Sequence, residues 1–311
     1  MNRIVTITFS PCIDKSTSVS ELLPEKKLHC ASPKLEPGGG GVNVARAINK
    51  LGGIATAIYP AGGYTGKFLR FLVEKEGLHS IVIHTENETR ENITVFENAT
   101  NKQFRFGMPS SLMHNKEWED LLSIVASIDG LEFLVASGSL PPGVPLDVFG
   151  RLAKIAKNKN AKFIVDTSGE PLKHATEEGV FLIKPNMDEL SFLAGKKELH
   201  QQDIKQFANE MIVSGKCENI VVSMGAKGAL LFTSDDAISY IPPSVDVKST
   251  VGAGDSMVGG IIYSISMGQS MPEAVQYGVA CGTSATMHAG TELCNKEIAD
   301  DLFSRVVVEE L

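Results

Sequence analysis

Cysteine is scarce and scattered. There are five residues, Cys12, Cys30, Cys217, Cys281 and Cys294, odd in number and without C-x-x-C spacing. That pattern excludes a disulfide framework and a cysteine-based zinc site, and it fits a reducing compartment. No apolar run approaches the ~20 residues that cross a bilayer. The opening MNRIVTITFSP enters a strand pattern with no charged-then-apolar leader. The expectation is a soluble, cytoplasmic protein without a membrane partner. A cationic surplus is also missing: the formal net charge of −8 argues against nucleic-acid partners. It leaves room for phosphorylated substrates held by a few local cations. Two nucleotide signatures are absent as well. GGYTGKF at 62–68 misses the P-loop spacing and has Phe68 where Ser or Thr belongs. No G-x-G-x-x-G follows a strand, so P-loop NTPase and nicotinamide oxidoreductase readings lose ground.

What is present is repeated alternation. Short β-branched runs at 4–9, 56–59, 81–84, 133–137, 163–166, 181–183 and 220–223 predict strands. Helical patterns at 42–51, 66–76, 116–126, 148–157 and 203–213 lie between them. Such β–α alternation predicts an α/β fold with a mostly parallel central sheet covered on both faces. A hairpin over 229–233 and 237–241 and two helices over 255–267 and 272–287 close the pattern. With 311 residues, 43% of them hydrophobic, the chain suits one large α/β domain or one with a small insert. Two polar, strand-like stretches, 16–37 and 91–108, lead into no helix. Together they predict a small β-sheet beside the main one, a candidate lid.

Two glycine-rich segments carry most of the chemistry. Residues 249–260 read STVGAGDSMVGG and residues 36–53 read EPGGGGVNVARAINKLGG. Glycine running into a helix leaves backbone N–H groups, and the positive end of the helix dipole, free for an anion. Gly252, Ala253 and Gly254 fit that role, and Asp255 beside them fits a base for an attacking hydroxyl. Asp at a helix start also serves as a cap. In the earlier segment, four glycines permit close backbone approach to a polar ligand, and Asn43 can hold two hydroxyls. Asp14, past the first strand, lies where α/β proteins bind ligands. Lys27, Arg90 and Arg105, in or beside the lid-like stretches, are cations that can grip a phosphate. Asn186 and Glu189 share a helix face and suit a hydrated magnesium, but the same pair spells a capping box. A phosphate cradle beside a carboxylate predicts phosphoryl transfer to a hydroxyl.

Together these residues resemble the PfkB-type branch of the ribokinase family of sugar kinases. The segment at 36–53 resembles its N-terminal signature, STVGAGDSMVGG its C-terminal one, and KPNMDE at 184–189 its N-x-x-E magnesium motif. The resemblance runs over essentially the whole chain, including SGSLPPG at 137–143 and VVSMGAKGALL at 221–231. It implies one ribokinase-like kinase domain over 1–311, with a β-sheet lid at about 16–37 and 91–108 that pairs with a second subunit's lid to make a homodimer. Within the family the likeness is to the PfkB-type 6-phosphofructokinases. Gly40 stands where 1-phosphofructokinases and tagatose-6-phosphate kinases usually carry Lys, which favours fructose-6-phosphate. The resemblance implies Asp255 as base, with Gly252, Ala253 and Gly254 as anion hole. It places Asp14, Gly39, Asn43 and Ser139 on the sugar hydroxyls, and Lys27 and Arg90 on the sugar phosphate. Lys184, Asn186, Ser223 and Gly225 fall to ATP, with Glu189 and Asn186 holding Mg2+ through water. Many members hold potassium on carbonyls near Ser249, Val251, Ala285, His288 and Gly290. Here His288 and Glu292 replace the Asn and Arg usual in close fructose-6-phosphate kinases. The rival readings are a tagatose-6-phosphate kinase, a 1-phosphofructokinase, and a silent sugar-phosphate-binding regulator.

Overall fold

The structure is a computed structural model that describes residues 3–288 and 290–311. The chain opens with β1 (Arg3–Ile7), β2 (Cys12–Val19) and β3 (Lys34–Gly38), then α1 (Gly40–Lys50), β4 (Ala55–Gly62), α2 (Gly63–Lys75) and β5 (His79–Thr85). A hairpin of β6 (Arg90–Glu97) and β7 (Lys102–Phe106) interrupts before α3 (Asn115–Ser127) and β8 (Leu131–Ser137). Alternation resumes with α4 (Val148–Asn158), β9 (Lys162–Asp166), α5 (Gly169–Glu177), β10 (Val180–Ile183), α6 (Met187–Leu193), α7 (Gln201–Val213) and β11 (Cys217–Ser223). The last part holds β12 (Ala229–Phe232), β13 (Ala237–Ile241), α8 (Ala253–Ser266), α9 (Met271–Thr286), α10 (Lys296–Phe303) and β14 (Val307–Glu310).

Ten strands form one sheet in the order β14-β13-β12-β11-β10-β9-β8-β1-β4-β5. From β5 across to β11 every neighbouring pair is parallel, and β12, β13 and β14 extend the edge antiparallel. β1 has β4 on one side and β8 on the other, so the order reverses there. Beyond the carboxyl ends of those strands lies the crevice where such sheets take ligands.

Alternate side chains of each strand feed opposite cores. Val5, Leu134, Ala136, Ile183 and Val222 join helices α3 to α7, while Ile4, Phe133, Val135, Leu182 and Val221 join α1, α2, α8 and α9. This two-sided burial is why the strands read as continuous apolar runs. Helix α8 fits against its neighbours through two glycines. A Cβ on Gly259 would come 2.7 Å from the Ala47 Cβ on α1, and one on Gly260 would come 2.7 Å from the Cys281 Sγ on α9. An interior glycine costs a helix up to ~1 kcal/mol, and here close contact with α1 and α9 offsets it. The start of α8 is thereby held against α1.

The second sheet has four strands in the order β3-β2-β6-β7. It begins at Cys12, four residues earlier than the stretch at 16–37 predicted, because β2 pairs along its whole length with β6, from Cys12 opposite Arg90 to Val19 opposite Glu97. Residues 20–33 between β2 and β3 form no strand. Also unforeseen are α5, α10 and the exposed edge strand β14. The last has too short a pattern, VVEE, to be distinguished from a polar tail.

Candidate active site

The second glycine segment builds the centre of the site. Gly252 caps α8 in the left-handed conformation, at φ 76°, and no side chain caps this helix. Its first backbone N–H groups are therefore open to an anion. Gly254 follows, and a Cβ there would lie 3.5 Å from the Lys184 Nζ. An ammonium and an uncapped helix start thus face the same space. Lys184 is buried and pairs with Asp166, at the end of β9, at 3.2 Å. Burial works to lower the Lys184 pKa, but the Asp166 carboxylate, with Glu189 and Asp255 beyond it, more than compensates and the group is held above its ordinary value.

Asp255 stands on the first turn of α8, accepting a 2.9 Å hydrogen bond on Oδ2 from the Asn43 Nδ2. The two glycine segments, 212 residues apart in sequence, meet at this bond. Burial pushes the Asp255 carboxyl up to about 6, and Asp166 and Asp14 push the same way against Asn43 and Lys184. A carboxylate with that value is ionised at neutral pH yet a better proton acceptor than an ordinary Asp.

The earlier glycine run serves the packing of the fold. A Cβ on Gly40 would come 2.3 Å from the Ser137 Oγ, and one on Gly41 would come 2.2 Å from the Ile7 carbonyl oxygen. Gly39, at φ 108°, would bring a Cβ to 2.7 Å from the Thr8 Cγ2. These glycines let α1 start directly against the carboxyl ends of β1 and β8, and that contact sets Asn43 in place. Gly38 instead makes room for Asp14, whose Oδ2 would lie 2.2 Å from an added Cβ. Asp14 sits on β2, with Oδ1 accepting from the Asn92 Nδ2 at 3.1 Å and from the Cys12 Sγ at 3.3 Å. Its other oxygen is turned to Gly38. Burial, then Asp14, holds the Cys12 thiol well above its usual range, so it stays protonated.

Other sequence-predicted residues fall around this centre. Asn186 and Glu189 realise the capping-box alternative at the start of α6: the Glu189 N donates to the Asn186 Oδ1 at 2.9 Å and the Asn186 N donates to the Glu189 Oε2 at 2.9 Å. Burial pushes Glu189 up, Asn186 works against it, and Asp166 adds to the rise. Ser223, at the end of β11, bridges to Asn186, and Gly225 begins the exposed turn that follows. Arg90 donates through Nη1 to the Met108 carbonyl and through Nη2 to the Ser10 carbonyl, while its buried Nε has no partner. Arg105, on β7, donates to the Thr250 Oγ1 at 3.0 Å, so the small sheet touches the segment ahead of α8. Ser139 is exposed just past β8, and Lys27 is exposed between β2 and β3; neither has a side-chain partner among the described residues. The segments carrying Ser249, Val251, Ala285, His288 and Gly290 are adjacent. The Ser249 N donates to the Thr286 carbonyl, its Oγ donates to the Gly290 carbonyl at 2.8 Å, and the His288 N donates to the Ala285 carbonyl. Glu292, next to this loop, pairs with Lys34 of β3 at 3.0 Å. Among the described residues no group of three or more His, Cys, Asp or Glu forms a metal cage.

Sequence reasoning missed Asp166 and Asn92. Asp166 was visible in principle: it is the acidic end of the apolar run FIVD, the same sign that drew attention to Asp14. Asn92 reaches Asp14 only because β2 and β6 pair in this register, which no local pattern reveals.

The chain matches the pfkB family carbohydrate kinases over residues 4–298. It is 42% identical over 305 residues to the ATP-dependent 6-phosphofructokinase isozyme 2 of Escherichia coli, covering 98% of this chain and 99% of that protein. The isozyme 2 of Mycobacterium tuberculosis H37Rv is 39% identical over 302 residues, covering 97% and 89%. The crystal structure of the Escherichia coli phosphofructokinase-2 in complex with potassium superposes with a TM-score of 0.94, covering 98% and 99% of the two chains at 42% identity. With its large, mostly parallel sheet, its separate small sheet and this full-length match, the chain belongs to the PfkB family of carbohydrate kinases and has their ribokinase-like fold.

Proposed function

We propose that this chain is an ATP-dependent 6-phosphofructokinase, transferring the γ-phosphoryl group of ATP to the C1 hydroxyl of fructose-6-phosphate to give fructose-1,6-bisphosphate and ADP. The observation that carries the chemistry is the meeting of Asp255, Asn43 and Lys184 at the uncapped start of α8. The choice of substrate is supported by the full-length likeness to the two isozyme 2 enzymes.

In this reading Asp255 accepts the proton of the C1 hydroxyl as its oxygen forms a bond to the γ-phosphorus. The bond from that phosphorus to the bridging oxygen breaks, and ADP leaves with the electron pair. The backbone of Gly252, Ala253 and Gly254 and the Lys184 ammonium meet the negative charge on the phosphoryl oxygens. Asn43 orients the carboxylate and, with Asp14, Gly39 and Ser139, holds the sugar hydroxyls. Lys184, Asn186, Ser223 and Gly225 hold the nucleotide. Glu189 and Asn186 are oxygen donors of the kind that retain a hydrated Mg2+, which when bound neutralises the ATP phosphates.

Arg90 keeps N–H groups for the sugar phosphate after its two carbonyl contacts, and Lys27 comes to it as the small sheet closes as a lid. We assign the lid to the sheet of β3, β2, β6 and β7 on one kinase domain spanning the chain. Its exposed Phe104 and Phe106 suit pairing with a second copy. The contact of Ser249 with Gly290 supports a potassium site on the neighbouring carbonyls. Among the described residues no helix is long and apolar enough to cross a membrane, and a glycolytic kinase of this kind works in the cytoplasm.

The test is ADP release from MgATP with fructose-6-phosphate, tagatose-6-phosphate and fructose-1-phosphate in parallel, with and without potassium. The expected result is the highest kcat/KM with fructose-6-phosphate. Turnover with another sugar alone would overturn the substrate, and folded, ATP-binding protein that turns over none of them would overturn the enzyme reading.

A further inference from the structure

The relay that reaches Asp255 does not end at Asn43. Arg46, one turn further along α1, is almost wholly buried, its side chain 1% exposed. It uses its guanidinium in every direction. Nε and Nη2 donate to the two carboxylate oxygens of Glu76 at 2.7 and 2.8 Å, and Nη2 also donates to the Glu36 Oε1 at 3.3 Å. Nη1 donates to the Pro37 carbonyl at 2.9 Å and to the Asn43 Oδ1 at 3.2 Å. These contacts account for all five N–H groups of the side chain.

The last of them settles an orientation. A primary amide can present either its oxygen or its NH2 to a neighbour. A guanidinium donates only, so the amide edge it faces must be the oxygen, and the NH2 is left for Asp255. We propose that Arg46 is a positioning residue for the base. By locking the Asn43 amide with its NH2 toward the Asp255 Oδ2, it keeps the carboxylate ionised and aimed. Glu36 anchors the other end: it is buried, accepts from the Thr291 Oγ1 at 2.8 Å, and faces Lys34 at 3.3 Å. The second glycine segment thus borrows its geometry from a buried ionic knot beneath the first.

This inference rests on the base role given to Asp255, so its test needs a readout that does not depend on turnover. The groups facing Asp255 are Asn43 on α1, Asp14 and Cys12 on β2, Asp166 at the end of β9 and Lys184 after β10. None of them is itself substituted when Arg46 is changed; only the hold on the Asn43 amide is released. The measurement is isotope-edited NMR of the aspartate carboxyls across pH, with Asp255 assigned by its loss in Asp255→Asn, together with kcat and KM for both substrates. Arg46→Lys keeps the buried positive charge against Glu36 and Glu76 but cannot fork to Pro37 and Asn43 at once. The expected result is an Asp255 titration raised by about one pH unit, the scale of one hydrogen bond to a charged group. At neutral pH kcat should fall at least about twofold, the loss of ionised base that this shift entails, with little change in the KM for ATP.

In an Asn43→Ala background the same Arg46→Lys change should leave the titration where Asn43→Ala alone puts it. An equal shift in both backgrounds would overturn the relay, as would an unmoved titration in a variant that only melts earlier. If Arg46→Lys does not fold, Glu36→Gln with Arg46→Gln removes both buried charges, and the same outcomes apply. A chain that turns over none of the sugars but shows the titration shift would keep the relay and discard the substrate reading.

Discussion

The two glycine segments look alike in sequence and differ in physical purpose. In the run from Gly38 to Gly41 a side chain has nowhere to go: Cβ atoms would strike Asp14, Thr8, Ser137 and the Ile7 carbonyl. These residues are glycines because backbone must pack on backbone, so that α1 can begin against β1 and β8. At Gly254 the nearest atom to an added Cβ is the mobile end of Lys184 at an ordinary contact distance. There the glycine keeps space for something else. The run from Gly38 to Gly41 is closed by the fold, whereas Gly254 is left open by it and faces the Lys184 ammonium. Glycine content therefore marks a site only when the structure says what the absent side chain would have met.

The sharpest division between them comes from Asp255, on the open side. Asp255→Asn should reduce kcat by about a thousandfold or more, the range of a positioned base, while MgATP binding measured by calorimetry persists. Near-normal turnover would remove Asp255 from the chemistry. The same variant tests the closed side's support for it. The folded carboxyl titrates at about 6 against an ordinary 3.8. A value raised on folding means that the native state binds this proton more tightly than the unfolded chain. Its contribution to stability is present in full below the ordinary value and is lost as pH rises through 6. Asp255→Asn, uncharged throughout, should then be more stable than the parent at pH 8 by on the order of 3 kcal/mol, with the gap closing toward pH 4. A thermal melting series over that range decides it. Activity should show the opposite dependence, kcat falling as the base protonates below pH 6.

On the closed side, Gly41→Ala should unfold the protein more easily, by about 3 kcal/mol, because overpacking against a carbonyl cannot be relieved by a rotamer change. The measurement is the urea midpoint, and an unchanged midpoint would mean that α1 can retreat from β1.

Much of this architecture was legible in the sequence because two-sided burial writes a strong signal. The runs at 133–137 and 220–223 are apolar up to a final serine, and both are strands feeding two cores. The start of the small sheet at Cys12 was not legible, since its pairing with Arg90 is a contact across 78 residues with no local pattern. Asp255 and Asn43 were each visible, as polar residues placed at helix starts, but their hydrogen bond was not. The packing role of the first glycine run was not legible for the same reason. A glycine that admits a ligand and one that admits a neighbouring strand leave the same letter in the sequence.

Gly254→Ala is the finest test of the contrast, because it repeats the change made at Gly41 in the other segment. Gly254 lies in the first turn of α8 with ordinary helical backbone, and the Lys184 Nζ at 3.5 Å can accept a methyl group without a clash. Alanine is the better helix former, so stability should hold or rise by up to ~1 kcal/mol. What the methyl group takes away is the space between the helix start and the ammonium, where the phosphoryl oxygens are proposed to sit. The expected outcome is an unchanged or higher melting temperature with kcat/KM for MgATP lowered about tenfold, roughly 1.4 kcal/mol of transition-state binding. One substitution would then break the fold in one glycine segment and spare it in the other while slowing turnover. If Gly254→Ala instead lowered stability as Gly41→Ala does, with kcat/KM intact, the second glycine segment too would be a packing device, and the anion site would have to be sought elsewhere along the crevice.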